Sequence, residues 1–416
     1  MKKILKFGGS SIANAERIQQ VLSIIENTLN SSHEIFVVIS AFQGVTDALI
    51  KIGTTVRDGK YNETSLSEIL SKHEELIMQL GLDTDMHLGT HFKQLSSELE
   101  KHIPRCPGAS VDFKMWMDEL LCYGELFSVR ILTGLLRSKH IDAELLDARK
   151  VVVTDSNYGN AYVHYQRSYD RIRSYVSNRS RLQIITGFLG ANEYGKATTL
   201  GRSGSDYSAS IFGAALNVDE IEIWTDVDGI LTANPKFVNE PRSISELTYE
   251  EAMELAHAGA KVIFPPTMIP ALYKHIPIIV KNTFHPELPG TRIAQERVLA
   301  GEITVGISSV SNVSLIRMQG AGMVGVKGIN ARLFTCLADK GISVMLVSQA
   351  FSEHSTCFAV KPEETNLALM LIDDEFAKEI KAKYIDSILV DNELSLVAEV
   401  GEGMQNTPGI AGLVFE

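Results

Sequence analysis

Two short segments of the chain carry residues that can bind an anion. KFGGSS at residues 6–11 ends an apolar strand with a lysine and two glycines, which leave backbone N–H groups uncovered. GRSGSD at residues 201–206 combines a guanidinium, two hydroxyls and a carboxylate directly before an apolar helix. Arg202 suits a bidentate contact with a carboxylate, and Asp206 can orient a lysine such as Lys6. A purely structural turn explains the first segment equally well, whereas an N-cap explains only one feature of the second.

Further charged residues follow other predicted elements. WTDVDG at residues 224–229 places two carboxylates after a strand, where a tight Asp-Gly turn or a nucleotide site explains them. Lys261 either ends a solvated helix or supplies a second cation to phosphates. Glu125 lies in an apolar helical run, where a carboxylate needs a partner, either a structural ion pair or a substrate ammonium. The histidines show no metal-ligand spacing, so we predict no protein metal site.

Composition limits the class of protein. The chain has 416 residues and a formal net charge of −12, which argues against nucleic acid or an anionic membrane as the main partner. Its four cysteines lie far apart without a Cys-x-x-Cys pair, which is typical of buried thiols in a reducing compartment. No signal-like apolar region opens the chain, and no apolar stretch approaches about eighteen residues. We therefore predict a cytoplasmic location.

Predicted strands and helices, which must position these residues, alternate along about the first 290 positions. This alternation predicts a three-layer α/β sandwich. We expect strands at 2–7, 34–40, 143–146, 182–189, 220–225 and 276–280, a helix from Asn14 to about Asn30, and a helical region over 66–139 with breaks near 82–85 and 105–110.

After a linker at 286–290 the pattern of predicted elements becomes that of a small α+β module. Its predicted order is strands 304–308 and 313–318, a helix over 327–339, strands 344–348 and 356–360, and a helix from Glu363. Residues 394–401 repeat the start of this module. Because the second copy stops before it can bury its sheet, we expect the natural chain to continue beyond Glu416.

Six motifs in sequence order make the chain resemble the aspartate kinases of the amino-acid kinase family. They are KFGGSS, GVTD at 44–47, YGE at 123–125, GRSGSD, WTDVDG and GAKV at 259–262, and the tail resembles the paired ACT regulatory domains of that family. The resemblance implies a three-layer αβα sandwich of the carbamate-kinase-like type over 1–292. It also implies a ferredoxin-like ACT domain over 303–392 and the start of a truncated second one over 393–416. A bifunctional relative would continue into a homoserine dehydrogenase.

The resemblance implies phosphorylation of the β-carboxylate of L-aspartate by ATP with Mg²⁺, the first step toward lysine, threonine and methionine. A carboxylate with a pKa near 4 is already ionised at neutral pH, so no general base is needed. The metal is expected to rest mainly on the phosphates. The implied partners are aspartate, ATP, a lysine or threonine effector, and a second copy of the chain paired through the ACT domains.

Site residues carry over from the resemblance position by position. It implies that Lys6 stabilises the transferring phosphoryl group, that Gly8 and Gly9 supply N–H donors, and that Asp206 positions the lysines. Aspartate would be bound by Ser10, Thr46, Glu125, Arg202 and Ser205, and the nucleotide by Thr225, Asp226, Leu231, Lys236 and Lys261. The effector would contact Met323, Val324, Val326, Ile329, Ser348 and Gln349, although the glycines near Met323 and the amide of Gln349 are also explained by a turn and a sheet edge.

Two segments depart from the family pattern. LTANPK at 231–236 stands where the family usually reads YTADPR, and Phe264-Pro265-Pro266 stands where His-Pro-Arg or similar is common. Both departures bear on nucleotide affinity and adenine contacts. They motivate a rival hypothesis, an amino-acid sensor with a degenerate kinase domain. A kinase acting on glutamate or acetylglutamate is a third.

Overall fold

The computed structural model describes residues 1–31, 34–260, 262–297, 303–410 and 412. The chain forms two compact units, one of Met1–Gly306 with Val400–Glu416 and one of Ile307–Glu399. Within the described ranges no helix is both long and apolar enough to cross a membrane.

An eight-stranded sheet organises the first unit. Its strands are β1 Lys2–Phe7, β2 Glu34–Ile39, β3 Ala143–Leu146, β5 Leu182–Thr186, β8 Glu220–Thr225, β9 Glu246–Thr248, β10 Ile278–Asn282 and β11 Thr291–Ala294. Their order is β3-β5-β2-β1-β8-β10-β11-β9, and neighbouring strands from β3 to β10 are all parallel. β1 is central and almost fully buried, so its carboxyl end meets the carboxyl ends of β2 and β8 at one edge.

Helices cover both faces of this sheet. They are α1 Ala15–Ser31, α2 Val45–Arg57, α3 Thr64–Gln79, α4 Met86–His102, α5 Phe113–Ser138, α6 Tyr165–Val176, α7 Gly204–Leu216, α8 Tyr249–His257 and α9 Ile269–Tyr273. α5 packs against β2, β3 and β5, whereas α7 packs against β1, β2 and β8 with α6 and α9 beside it. Right-handed crossovers put α5 and α7 on opposite faces. The predicted α/β fold class is confirmed.

Local signals placed several of these helices correctly. Asn14 caps α1, with its side chain accepting the N–H of Arg17 at 2.9 Å. The predicted helical breaks separate α3, α4 and α5, and Asp85 caps α4 by accepting the N–H groups of His87 and Leu88. Ser205 and Asp206 are not the N-cap of α7, because Ser203 occupies that position and its side chain makes no capping bond.

The predicted strand at 182–189 is divided between two sheets. β5 ends at Thr186, and β6 Leu189–Asn192 joins a smaller sheet with β4 Val153–Thr154 and β7 Ala197–Thr199. Gly187 lies at the division, where a Cβ would come within 2.6 Å of Ser205 Oγ. The absence of a side chain at position 187 therefore lets Ser205 of α7 pack closely where the chain leaves the first sheet. Four short strands of two to four residues, β4, β7, β9 and β11, have no counterpart among the strands expected from the sequence.

The second unit is a β-α-β-β-α-β module. Its strands β12 Gly306–Gln319, β13 Leu346–Gln349, β14 Ser355–Val360 and β15 Ser387–Val400 form a sheet of order β13-β14-β12-β15. The helices α10 Ile329–Ala338 and α11 Pro362–Glu375, followed by α12 Ala377–Lys381, enclose a core that includes Leu333, Phe358 and Ile372. The two strands predicted at 304–308 and 313–318 are one strand, β12. The strand predicted at 394–401 is the second half of β15.

The expected internal repeat has a counterpart in backbone conformation. Gly320 follows β12 with φ 175° and ψ 137°, and Gly401 follows β15 with φ 170° and ψ 128°; a 3-10 turn begins after each. A Cβ would lie 2.1 Å from Tyr384 O at Gly320 and 2.2 Å from Ile303 O at Gly401. Each glycine therefore permits the same close approach of two backbones.

Candidate active site

Lys6 and Asp206 form an ion pair at the carboxyl end of β1. Their Nζ and Oδ1 atoms are 2.6 Å apart, and Lys6 is only 9% exposed. Asp206 comes from the first turn of α7, which lies over β1. The Lys6 ammonium is 3.4 Å from the position that a Cβ at Gly8 would take. The fold therefore joins the two segments that the sequence singled out, with a cation directly beside the Gly8–Gly9 turn.

The glycine turn is pressed against the loop that follows β2. A Cβ at Gly9 would lie 3.0 Å from the carbonyl oxygen of Ala41, so no larger residue fits without movement. Ser10 lies in the 3-10 turn Gly9–Ile12, and its carbonyl accepts a 2.8 Å hydrogen bond from Arg17. Thr46 lies in the first turn of α2, after the left-handed Gly44. Ser10 and Thr46 thus follow the ends of two adjacent strands, β1 and β2.

Glu125 reaches the same loop from helix α5. The side chain is 3% exposed, and Oε1 accepts the N–H of Ala41 at 3.2 Å. Oε2 is buried and makes no hydrogen bond in the described part of the chain. Burial raises the pKa of Glu125 to about 8, and backbone hydrogen bonding, chiefly from the Ala41 N–H, offsets this only in part. No cation of the described residues pairs with it, so the expected structural ion pair is not observed there.

The segment before α7 has a constrained backbone. Gly201 and Ser203 both have positive φ, 76° and 53°, and Arg202 between them is exposed. Ser205 is buried against Gly187, close to the carbonyl of Ile39 at the end of β2. Ser208 donates to Gly204 O and accepts the N–H of Phe188, which fixes the start of the helix. Arg202, Ser205 and Asp206 are thereby presented by one ordered turn.

Two of the predicted nucleotide residues lie at the end of β8. Thr225 and Asp226 stand at the strand end, where Thr225 Oγ1 donates to Asp226 Oδ1 at 3.1 Å. Asp228 is held by Asn282, whose Nδ2 donates to Oδ1 at 2.6 Å. Within the described residues, no group of three or more His, Cys, Asp or Glu side chains is arranged to hold a metal.

The LTANPK segment at 231–236, which differs from the family pattern, forms an ordered turn. Leu231 makes an isolated antiparallel bridge with Ser243. Asn234 Oδ1 accepts the N–H of Lys236 at 3.0 Å, and its carbonyl accepts from Phe237 and Val238. An amide therefore supplies the acceptor that a carboxylate would supply, without the negative charge. The side chain of Lys236 is exposed. Lys261 lies outside the described residues.

The sequence analysis did not identify two features near the site, the hydrogen bonds of Asp118 and the contact between Phe264 and Arg202. Asp118 of α5 is buried and accepts the N–H groups of Gly159 and Thr199 and the hydroxyl of Thr199, at 2.8–2.9 Å. Burial raises the pKa of Asp118 despite these bonds. A carboxylate in an apolar helical run was the signal that singled out Glu125, and it applies equally to Asp118. Nothing local pointed to the contact between Phe264 and Arg202, whose Cζ is 5.5 Å from the ring centroid.

The predicted effector residues surround a pocket within the second unit. This pocket of about 630 Å³ is lined by Met323, Val326, Ile329 and Gln349, together with Asn330 and Glu353 among others. Gln349 Oε1 accepts from Asn330 Nδ2 at 2.9 Å, and Glu353 accepts the N–H of Gly325. Val324 is 54% exposed. Ser348, like the rest of β13, is exposed. The pocket is lined by both charged and apolar groups.

The fold is a mostly parallel α/β sheet with an ion pair and a glycine turn at the carboxyl end of its central strand. The chain belongs to the amino acid kinase family, whose sequence model matches residues 1–282. A model of the ACT domain matches residues 316–376.

Two curated proteins similar to this chain are bifunctional, named both aspartokinase and homoserine dehydrogenase. The chain is 34% identical to the bifunctional aspartokinase/homoserine dehydrogenase 2 of Arabidopsis thaliana, covering 100% of this chain and 46% of that protein. It is 31% identical to the bifunctional aspartokinase/homoserine dehydrogenase of Haemophilus influenzae, covering 99% of this chain and 51% of that protein. The chain therefore spans about half the length of these relatives.

Solved structures of aspartate kinases have the same fold. Escherichia coli aspartokinase III in complex with aspartate and ADP (R-state) matches with a TM-score of 0.82 at 26% identity, covering 100% of this chain and 91% of that one. Clostridium acetobutylicum aspartate kinase matches with a TM-score of 0.81 at 28% identity, covering 99% and 90%. The E. coli enzyme with lysine and aspartate (T-state) matches at 0.76 and 27% identity, covering 96% and 87%.

Proposed function

We propose that this chain is an aspartate kinase, which transfers the γ-phosphoryl group of ATP to the β-carboxylate of L-aspartate. The observation that carries the proposal is the Lys6–Asp206 ion pair beside the Gly8–Gly9 turn. The names of the relatives and the aspartate and ADP bound to E. coli aspartokinase III support the choice of substrates.

The proposed reaction requires positioning and charge neutralisation. A β-carboxylate oxygen attacks the γ-phosphorus, the bond to the β,γ-bridging oxygen breaks, and ADP leaves with that electron pair. Both nucleophile and leaving group are anions, so no proton has to move. Lys6 would neutralise charge on the transferring group, and Asp206 would hold the Lys6 ammonium in place. The N–H of Gly8, expected from the sequence to face the phosphate, instead donates to the carbonyl of Trp224 at 3.4 Å, so of the two glycines Gly9 would offer the N–H donor.

The amino-acid substrate would be held at both ends of its backbone. Arg202 suits the α-carboxylate, since its guanidinium is exposed on an ordered turn. Glu125 suits the ammonium, since one buried carboxylate oxygen lacks a hydrogen bond within the described residues. This unpaired oxygen favours a free ammonium over the acylated nitrogen of acetylglutamate. Ser10, Thr46 and Ser205 would complete the substrate site.

The nucleotide would lie over the end of β8. Thr225, Asp226, Leu231 and Lys236 follow this strand, and Lys261 would add a second cation. Mg²⁺ would arrive with ATP and be held mainly by phosphate oxygens, with Asp226 as an exposed carboxylate at the strand end. When bound, the metal supplies further charge neutralisation to the phosphates.

Regulation is the second part of the proposal. An amino acid such as lysine or threonine would bind in the pocket beside Met323, Val326, Ile329 and Gln349, with Val324 and Ser348 at its margin. The lysine present in the T-state structure of E. coli aspartokinase III supports an effector of this chemistry. The edge strand β13 exposes Leu346 and Val347, which supports pairing of two copies through this unit.

Trapping the acyl phosphate as a hydroxamate tests the proposed activity. With MgATP and aspartate the purified chain should form it, and Lys6→Ala and Asp206→Ala should each lower kcat by about 10²- to 10³-fold. Lys2→Ala, on the same strand but exposed and paired with Glu34, and Asp170→Ala, on a surface helix, are matched controls that should retain activity. Absence of aspartate turnover by the wild type would refute the proposal, and turnover of glutamate instead would assign the third hypothesis.

A further inference from the structure

The ring of Phe264 lies against the guanidinium of Arg202. Arg202 Cζ is 5.5 Å from the ring centroid, within the range of a cation–π contact. Among the described residues, no carboxylate lies within ion-pair distance of Arg202. The guanidinium is therefore held by an uncharged neighbour and keeps its full charge for a ligand.

Both partners of this contact are anchored on helix α7. Arg202 belongs to the turn that leads into α7, where the positive φ of Gly201 and Ser203 limits alternative backbones. Phe264 precedes the 3-10 turn Pro265–Met268, which packs against α7. The Phe264 carbonyl accepts both the N–H and the hydroxyl of Thr267, at 3.0 and 2.6 Å. Two prolines follow and restrict the backbone further.

The geometry of a guanidinium makes an aromatic ring a suitable support. The five N–H donors of arginine lie in one plane, whereas a ring contacts the face of that plane. A carboxylate support would instead occupy the donors and neutralise the charge. Arg202 also borders a pocket of about 620 Å³, which Phe188 and Asn160 line with it, among others.

We infer that Phe264 is a positioning residue, which stacks on Arg202 and presents its N–H donors to the α-carboxylate of the amino-acid substrate. This inference rests on the proposed function. From the sequence, Phe264 was expected to affect nucleotide affinity and adenine contacts. In the structure its side chain instead contacts Arg202, the arginine predicted to bind a carboxylate.

Steady-state kinetics of Phe264 variants of the full chain test the inference. Phe264→Leu keeps an apolar side chain of similar volume but removes the ring face, so KM for aspartate should rise about three- to tenfold. KM for ATP and kcat should stay within about twofold, and Phe264→Tyr should restore KM for aspartate. Tyr175→Leu removes the ring from another stacked pair, with Arg179 at 4.3 Å, and should change none of these values.

A double-mutant cycle identifies the route of the effect. In an Arg202→Lys background, Phe264→Leu should change KM for aspartate by less than about twofold, because the planar partner is already absent. Unchanged KM in Phe264→Leu would overturn the inference, and so would parallel losses in kcat and KM for ATP, which indicate general packing. A wild type that does not phosphorylate aspartate refutes the proposed function itself, whereas an active wild type with an insensitive Phe264→Leu refutes only the positioning role.

Discussion

The buried carboxylate of Glu125 predicts a strong pH dependence of aspartate binding. Its pKa is raised to about 8, whereas only the ionised form pairs favourably with a substrate ammonium. About one carboxylate in a hundred is then ionised at about pH 6 and about half at about pH 8. Since apparent affinity scales with the competent fraction, kcat/KM for aspartate should rise about fiftyfold over this interval.

Glu125→Gln is the decisive variant, because the amide keeps the shape of the side chain and can still accept the N–H of Ala41. We expect a flat kcat/KM profile between about pH 6 and pH 8. At about pH 8 the value should be at least about tenfold below wild type, because a charge-assisted hydrogen bond is lost. The assay is hydroxamate formation at saturating MgATP, with KM for ATP measured at each pH. Glu119→Gln, at a part-exposed carboxylate of the same helix, is the matched control.

The same raised pKa has a consequence for stability with a defined sign. The unfolded carboxyl ionises near its ordinary value of 4.5, while the folded one resists ionisation up to about 8. The free energy of unfolding of the ligand-free protein should therefore fall as pH rises between these values. At about pH 7 the cost approaches about 3 kcal/mol, and at about pH 5 it is under about 1 kcal/mol.

Glu125→Gln should remove this cost, so chemical denaturation should find the ligand-free variant more stable than wild type at about pH 7 and only slightly so at about pH 5. A wild-type kinetic profile that is flat over the interval, or a slope that persists in Glu125→Gln, would refute the assignment of Glu125 to the substrate ammonium.

Three further predictions concern the scaffold. Gly187→Ala places a Cβ within 2.6 Å of Ser205 Oγ and 3.1 Å of Ile39 O, so thermal unfolding should show a loss of about 1–3 kcal/mol together with lower activity; unchanged values would mean that α7 can move away. Asp118→Ala leaves two buried donors of Thr199 and a part-buried N–H of Gly159 without their acceptor, and urea denaturation should show a loss of at least about 2 kcal/mol. Val347→Lys charges the exposed edge strand β13, and size-exclusion chromatography should show a smaller species than wild type if two copies pair there. An unchanged elution volume for a dimeric protein would exclude this edge.

The contrast between Glu125 and Asp118 illustrates how far sequence reasoning reaches. Both are carboxylates in the apolar helix α5, and the same rule marks both as needing a partner. Only the folded chain separates them, since Asp118 accepts three hydrogen bonds while Glu125 accepts one from Ala41 and keeps a buried oxygen unpaired within the described residues. The partners are 41 to 84 positions away, beyond any local pattern.

The sequence alone determined the features that depend on neighbouring residues. Local periodicity and turn chemistry predict the β1 strand and its glycine turn, the cap of α1, and the breaks between α3, α4 and α5. The order of the six motifs carries the resemblance to the aspartate kinases. Tertiary structure decided where the strand at 182–189 divides, that residues 306–319 form one strand, and that Lys6 meets Asp206 two hundred positions away at 2.6 Å. It also decided that Phe264 lies on Arg202, because packing on α7 brings together two turns that share no sequence signal.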